Sequence, residues 1–254
     1  NVGNTEVQKT EEVKIDKEGP TTASSLSGPA GNNDYFKGPV QVTLTASDSV
    51  SGLATGSISF KIDNGTLKGY ASPFTVSGNG THTVTFWSVD MAGNTTSGEP
   101  ITINIDSTVP LTQATLAGTQ GSNGWYTTEA QVTLFATDTP SGVDTTFYTI
   151  DGGSQQTYSA PFSITDNGYH TIVYWSVDRA GNIEAQRSMT IKVDSVAPTS
   201  QASASSAWSY DVWYQSPAQI YISATDSASH IATTYYTIDG GATQTYTTPF
   251  NITA

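Results

Sequence analysis

The sequence predicts an all-β protein built from tandem antiparallel sandwiches, and three observations support this. Apolar residues alternate with polar ones, as in Val132, Leu134 and Ala136, which is the pattern of strands buried on one face. Turn sequences such as Asp151-Gly152-Gly153 separate these runs and suit tight hairpins with positive φ. The same order of strands and turns recurs along the chain. About seven short strands in about 90 residues are typical of an immunoglobulin-like domain.

The repeat has a period of 88 residues. A Pro-Phe pair begins at Pro73, Pro161 and Pro249, and each pair lies 88 residues beyond the one before. The sequence Trp-Ser-Val-Asp-x-Ala-Gly-Asn occupies 87–94 and 175–182 with the same spacing. The predicted domains are the end of a preceding repeat (1–19), two complete repeats (20–106 and 107–194) and an incomplete third repeat (195–254).

The second repeat shows the order in which the short motifs follow one another within a repeat. The loop after the last long strand, Asp-x-Ala-Gly-Asn, fits a type I turn followed by a left-handed glycine. In chain order the motifs are Trp125-Tyr126, Val132-x-Leu134-x-Ala136-x-Asp138, Ser141-Gly142-Val143, Tyr148-x-Ile150-Asp151-Gly152-Gly153, Tyr158-x-x-Pro161-Phe162, Gly168-x-His170-Thr171 and Trp175-Ser176-x-Asp178-x-Ala180-Gly181-Asn182. These motifs, taken in order, resemble the Ig-like repeat named after a leptospiral outer-membrane protein.

That resemblance covers essentially the whole chain, and repeats of this type occur in many bacterial and archaeal surface and secreted proteins. The first repeat departs from the pattern with Tyr35-Phe36 and Asp63-Asn64-Gly65, and the third has His230 after Ser229. These changes fall in loops. The resemblance implies a tandem architecture and an extracellular or cell-surface location, but no particular ligand, since one fold of this kind serves many functions.

The composition excludes several kinds of partner and site. Nine basic against 22 acidic residues give a net charge of -13, so nucleic acid is not an expected partner. The chain has no cysteine and no stretch approaching the ~20 apolar residues that span a bilayer, so we expect no membrane insertion. Sequons occur at Asn64, Asn79, Asn94 and Asn251, about as many as 71 Ser and Thr residues give by chance.

The histidines do not form a catalytic or zinc-binding pattern. His82 and His170 are equivalent positions on one strand, and His230 lies in a loop. A catalytic triad or a zinc site needs several such groups to converge within one repeat. We therefore expect no catalytic residue and no cofactor-binding residue, and the chain is interpreted as not being an enzyme.

Three aspartates from the first and second repeats could meet at the junction between these repeats. Asp106 ends the last strand of the first repeat, and Asp138 and Asp178 lie in loops at the facing end of the second. Calcium takes 6 to 8 oxygen ligands, so such a cluster could hold this ion. The alternative is that both loop aspartates cap their own turns and bind no metal. We predict no metal site and leave calcium open.

Alternation also predicts a surface of aromatic residues. Ile172, Tyr174 and Ser176 point inward, so Trp175 points outward, and Phe147 points outward from the neighbouring strand. Trp87 occupies the place of Trp175 in the first repeat, and Tyr235 occupies the place of Phe147 in the third. This surface, Trp87, Phe147, Trp175 and Tyr235, could contact other copies of the chain or a polysaccharide. Alternatively, neighbouring side chains cover each tryptophan within its own domain.

The function that these observations predict is architectural. Short connections, from Asp106 to Pro110 and from Asp194 to Pro198, limit bending between repeats. We expect a non-catalytic segment of a stalk, adhesin or filament subunit, which contacts its neighbouring repeats and other copies of itself. The alternative is an accessory, carbohydrate-binding part of a secreted multimodular enzyme. In the incomplete third repeat we expect the inward residues Ile220 and Ile222 to be exposed unless another segment or chain covers them.

Overall fold

The computed structural model describes residues 2–3, 5–207, 209–211 and 213–253. Almost all of its regular structure is β-strand, which confirms the predicted all-β class. The strands of the first repeat are β1 (Thr21–Ser27), β2 (Tyr35–Phe36), β3 (Val40–Ser47), β4 (Leu53–Ile62), β5 (Lys68–Gly69), β6 (Phe74–Val76), β7 (Gly80–Asp90), β8 (Thr95–Ser97) and β9 (Ile101–Ile105).

Within the described ranges, the second repeat has a counterpart of each strand of the first except β8, and one 3-10 turn is added at Ser122–Gly124. Its strands are β10 (Leu111–Ala117), β11 (Trp125–Tyr126), β12 (Ala130–Thr137), β13 (Val143–Ile150), β14 (Gln156–Thr157), β15 (Phe162–Ile164), β16 (Gly168–Asp178) and β17 (Arg187–Val193). The third segment contains β18 (Thr199–Ser205), β19 (Ser209–Tyr210), β20 (Trp213–Tyr214), β21 (Ala218–Thr225), β22 (Tyr235–Tyr236), β23 (Gln244–Thr245) and β24 (Phe250–Ile252).

Each complete repeat is a sandwich of two sheets. In the first repeat the sheets have the orders β1-β3-β6 and β2-β9-β7-β4-β5, with β8 paired to β7. In the second they are β10-β12-β15 and β11-β17-β16-β13-β14. The third segment repeats the first kind of sheet as β18-β21-β24, and beside it has the pairs β19-β20 and β22-β23. The pairings of β2 with β9 and of β11 with β17 are parallel, whereas those of β1 with β3, of β4 with β7 and of β16 with β17 are antiparallel.

The cores follow the alternation of the sequence. On β3 the inward residues Val40, Val42 and Leu44 are at most 2% exposed, because they face the opposite sheet across the sandwich. The core of the second repeat contains a stacked aromatic pair, Tyr148 and Phe162, whose ring centroids are 4.2 Å apart. Burial of these apolar side chains is the main source of stability, since the chain has no disulfide.

The hairpin turns have the backbone that their sequences predict. Asp151 and Gly152 have φ values of 50° and 70°, and Asp63 and Asn64 have 49° and 58°. Two successive residues with positive φ make the type I′ turn that matches strand twist.

The chain divides into two compact units. One consists of Asn1–Leu111, Ala136–Thr145 and Ser176–Glu184, and the other of Thr112–Phe135, Thr146–Trp175 and Ala185–Ala254. The first unit holds the core of the first repeat together with two loops of the second repeat. The boundaries expected from the sequence stay a prediction. Among the described residues, no helix has the length and apolar character needed to cross a membrane.

Candidate functional site

The loop that follows β12 is organised by Asp138. Oδ2 of Asp138 accepts hydrogen bonds from Gly142 N at 3.0 Å and from Ser141 Oγ at 3.3 Å. The equivalent Asp48 of the first repeat accepts three backbone N–H groups with its Oδ1. This is the turn-capping role predicted as the alternative to metal binding.

The loop that follows β16 is closed by Asp178 and Asn182. Oδ1 of Asp178 accepts from Asn182 N at 2.7 Å, and Oδ2 accepts from Asn182 Nδ2 at 2.8 Å. Gly181 has a φ of 88°, which confirms the predicted left-handed glycine. Asp90 and Asn94 make the same pair of bonds in the first repeat.

Asp106 joins the two loops at the point where the chain leaves the first repeat. Its Oδ1 accepts from N and Oγ1 of Thr108, and its Oδ2 accepts from Ser141 N at 2.9 Å. The backbone oxygen of Asp106 accepts from Asn182 Nδ2, also at 2.9 Å. One linker residue therefore holds both loops, and its carboxylate is fully buried.

The structure brings the three predicted aspartates together. Carboxylate oxygens of Asp106, Asp138 and Asp178 all lie within 4.8 Å of one another, and those of Asp16, Asp48 and Asp90 do the same. Burial raises the pKa of Asp138, and the carboxylates of Asp106 and Asp178 raise it further. Either trio offers oxygen atoms of the kind that calcium binds.

Asp106 behaves differently from Asp138. Burial raises its pKa, but hydrogen bonds from Ser141 and Thr108 outweigh that effect, so the pKa lies below its ordinary value. The cluster thus contains one well-stabilised carboxylate beside one whose charged form is disfavoured. Hydrogen bonds already account for the conformation of each aspartate, so the geometry does not require an ion.

A second set of contacts at this junction involves the loop Arg179 to Gly181. Asn32 N donates to Ala180 O at 2.9 Å, and Asn33 Nδ2 donates to Arg179 O at 2.8 Å. Gly31 makes this approach possible, because a Cβ there would lie 2.6 Å from Ala180 O. Asn32 and Asn33 were not predicted from the sequence; the signal available was the Gly31-Asn32-Asn33 turn near the start of the first repeat.

Asn79 makes a third set of contacts with the linker. Its Oδ1 accepts from N and Oγ of Ser107, and its Nδ2 donates to Thr108 Oγ1 at 2.9 Å. Asn167 holds Ser195 after the second repeat in the same way, at 2.9 Å from N and 3.0 Å from Oγ. In the sequence, Asn79 stands out only as a sequon.

The four residues of the predicted aromatic surface differ widely in exposure. Trp175 is only 9% exposed and packs against Phe147, with ring centroids 5.8 Å apart. Phe147 and Trp87 are half-buried, and Tyr235 is 63% exposed. Another aromatic residue, Tyr169, is 65% exposed; its ring meets Trp125 edge-on at 5.2 Å.

No protein-family model matches this chain, and no curated protein matches it. Among solved structures it is similar to the fibronectin(III)-like modules of Clostridium thermocellum CbhA. The identity is 13% and the TM-score 0.34, over 67% of this chain and 94% of the other.

Proposed function

We propose that this chain is a non-catalytic, architectural segment of an extracellular or cell-surface protein, made of Ig-like repeats of the bacterial and archaeal type. The observation that carries the proposal is the junction at Asp106. There a short linker is bonded to loops on both sides, through Asn79, Ser141 and Asn182. Ordered linkers of this kind resist bending, which is the property that a stalk or filament subunit needs.

Spin labels would test whether the junction restricts motion. The chain has no cysteine, so single cysteines at the exposed Leu67 and Gln155 can be labelled without background. A narrow distribution of label distances is expected, and Asn182→Ala should broaden it because the bond to Asp106 O is lost. Gln113→Ala, at an exposed strand position, is the matched control. A broad distribution in the unaltered chain would contradict the architectural role.

A second candidate function is carbohydrate binding by an accessory module of a secreted enzyme. Tyr169 favours it, because its largely exposed ring is held by Trp125 and by Lys192, whose Nζ lies 5.8 Å from the ring centroid. A fixed aromatic face can stack on a sugar ring. Sedimentation with insoluble polysaccharides should then retain the chain, and Tyr169→Ala should release it while leaving the far-UV circular dichroism unchanged.

A further inference from the structure

His82 and His170 each face hydrogen-bond acceptors with both ring nitrogens. Nδ1 of His82 lies 2.7 Å from Asp63 Oδ2, and its Nε2 lies 3.1 Å from Gly78 O. Nδ1 of His170 lies 2.8 Å from Asp151 Oδ2, and its Nε2 lies 2.8 Å from Asp166 O. A neutral imidazole carries one N–H, so only the imidazolium form donates to both acceptors.

The surroundings of both histidines favour that charged form. The hydrogen bond to Asp63 raises the pKa of His82, and the bond to Gly78 O adds to this against the opposing effect of burial. Burial lowers the pKa of His170, but the bonds to Asp151 and Asp166 O and the two carboxylates outweigh it. The titratable groups that act on the rings are Asp63 for His82, and Asp151 and Asp166 for His170.

Each histidine connects two turns of its repeat. Asp63 lies in the hairpin after β4, where its Oδ1 also accepts from Thr83 N at 2.8 Å. Gly78 lies in the turn before β7, directly beside Asn79. Asp151 accepts Thr171 N in the second repeat, and Asp166 stands directly before Asn167. The turn that each imidazolium ties down is thus the turn whose asparagine holds the linker.

We propose that His82 and His170 are proton-dependent latches that set how firmly Asn79 and Asn167 hold the linkers after their repeats. The protonated ring donates to the carbonyl of Gly78 or Asp166 and fixes the turn, so that Asn79 stays bonded to Ser107 and Asn167 to Ser195. The neutral ring keeps the bond to its aspartate and loses the bond to the turn. This inference rests on the architectural function and adds pH as its regulator.

The direction of the effect follows from the shifts. A histidine whose pKa is raised on folding stabilises the fold fully below its ordinary value of 6.5, and that contribution is lost as pH rises through the folded pKa. Asp63 and Asp151 have lowered pKa values because they bond to His82 and His170, so their contribution is lost only in acid. The latches are therefore closed in mildly acidic solution and open as pH becomes alkaline.

Amide hydrogen exchange of the whole chain tests the latches directly. Protection factors, which correct for the chemical effect of pH, should fall by roughly threefold to tenfold at Ser107 and Ser195 between pH 5.5 and 8.5. The double variant His82→Gln, His170→Gln should show, at both pH values, the low protection that the unaltered chain shows at pH 8.5. His230→Gln changes the remaining histidine and should behave as the unaltered chain.

Side-chain NMR titration keeps the proposal testable if the double variant does not fold. His82 and His170 should titrate above the ordinary histidine value in the unaltered chain. Titration at or below that value would overturn the proposal, as would protection at Ser107 and Ser195 that does not change with pH. If only the histidine proposal fails, the distribution of spin-label distances stays narrow. If the architectural function itself fails, that distribution is broad at every pH.

Discussion

The second repeat and the segment 195–254 share the strand order of one sheet but differ in how deeply the residues of that sheet are buried. The first sheet has the same order in both, β10-β12-β15 and β18-β21-β24. The aromatic stack is also the same, because Tyr236 and Phe250 lie 4.3 Å apart at 14°, close to the 4.2 Å and 10° of Tyr148 and Phe162. Yet Val132 of β12 is fully buried, whereas Ile220 of β21 remains half-buried.

The difference lies in the opposite sheet. In the second repeat this sheet has five strands, and its central β16 supplies Ile172 and Tyr174 to the core. In the segment 195–254 the described residues of that layer form only the two-stranded pairs β19-β20 and β22-β23. Local sequence therefore sets the strands, turns and aromatic stack, whereas burial depends on strands contributed from the facing layer.

Truncation of core residues should give the largest contrast between these regions. Ile172 is fully buried, so Ile172→Ala is expected to destabilise the second repeat by about 2 to 5 kcal/mol. Ile222→Ala, in the half-buried layer of β21, should cost much less because water already reaches that site. Urea unfolding followed by hydrogen exchange of each repeat measures both. Equal effects would show that the segment 195–254 is as well packed as the second repeat.

Removal of the junction amides should have the next largest effect. Asn182→Ala removes the side-chain donor to the buried Asp106 carbonyl and to Asp178 Oδ2, while Asp178 Oδ1 keeps the backbone N–H of residue 182, and the expected cost is about 1 to 3 kcal/mol. Asn94→Ala removes the equivalent bonds to Asp16, Glu18 and Asp90, and should cost less because Glu18 is exposed and water can replace the amide. Thermal unfolding compares the two variants. A larger loss for Asn94→Ala would reverse the ranking.

Neutralising Asp138 should be stabilising. An asparagine oxygen can still accept from Ser141 Oγ and Gly142 N, while the burial of a charge and the repulsion from Asp106 and Asp178, which raise the pKa of Asp138, are removed. Asp138→Asn is therefore expected to raise the unfolding free energy by about 0.5 to 1 kcal/mol at neutral pH in a chelating buffer. Asp226→Asn, the equivalent change in the third segment, is the matched variant and should have little effect.

The same pair of variants decides whether the aspartate trio binds calcium. If Asp106, Asp138 and Asp178 coordinate the ion, millimolar calcium should stabilise the unaltered chain and make Asp138→Asn the less stable of the two. If the aspartates only cap their turns, calcium leaves the order of the unfolding temperatures unchanged.

The smallest expected effect is that of pH on the histidine bonds. His170→Gln should lower the unfolding free energy by less than about 1 kcal/mol at pH 5.5, where the imidazolium makes both bonds. The difference from the unaltered chain should shrink as pH rises through the folded pKa of His170, since that pKa is raised. A difference that grows with pH would contradict the direction of the shift.

The features that sequence could predict are those fixed within one repeat. The alternation of apolar and polar residues correctly predicted that Val132 and Leu134 lie in the core, because the period of a strand is a local property. Gly181 correctly predicted a turn with positive φ, because backbone sterics are also local. The meeting of Asp106, Asp138 and Asp178 could also be anticipated, since the fold puts their loops at one end. The burial of Trp175 could not be predicted from the sequence, because it depends on the size and direction of neighbouring side chains such as Phe147.

Contacts between loops far apart in sequence lay beyond prediction for the same reason. Nothing near Asn32 indicates that a loop 148 residues later will present Ala180 O to it. The two acceptors of His82 come from different turns, and only the folded positions of Asp63 and Gly78 place them on either side of the ring.

The parallel pairing of β11 with β17 has a mechanical consequence. Trp125 pairs with Lys192 and Tyr126 with Val193, and Asp194 N then donates to Tyr126 O. A pull that acts at the start of β11 and at the end of β17 moves these strands past each other in opposite directions, so the bonds between them are loaded in shear. Bonds loaded in shear break together, whereas bonds at a hairpin end open one after another. This short pairing is thus arranged to resist a pull along the strands with all of its bonds at once.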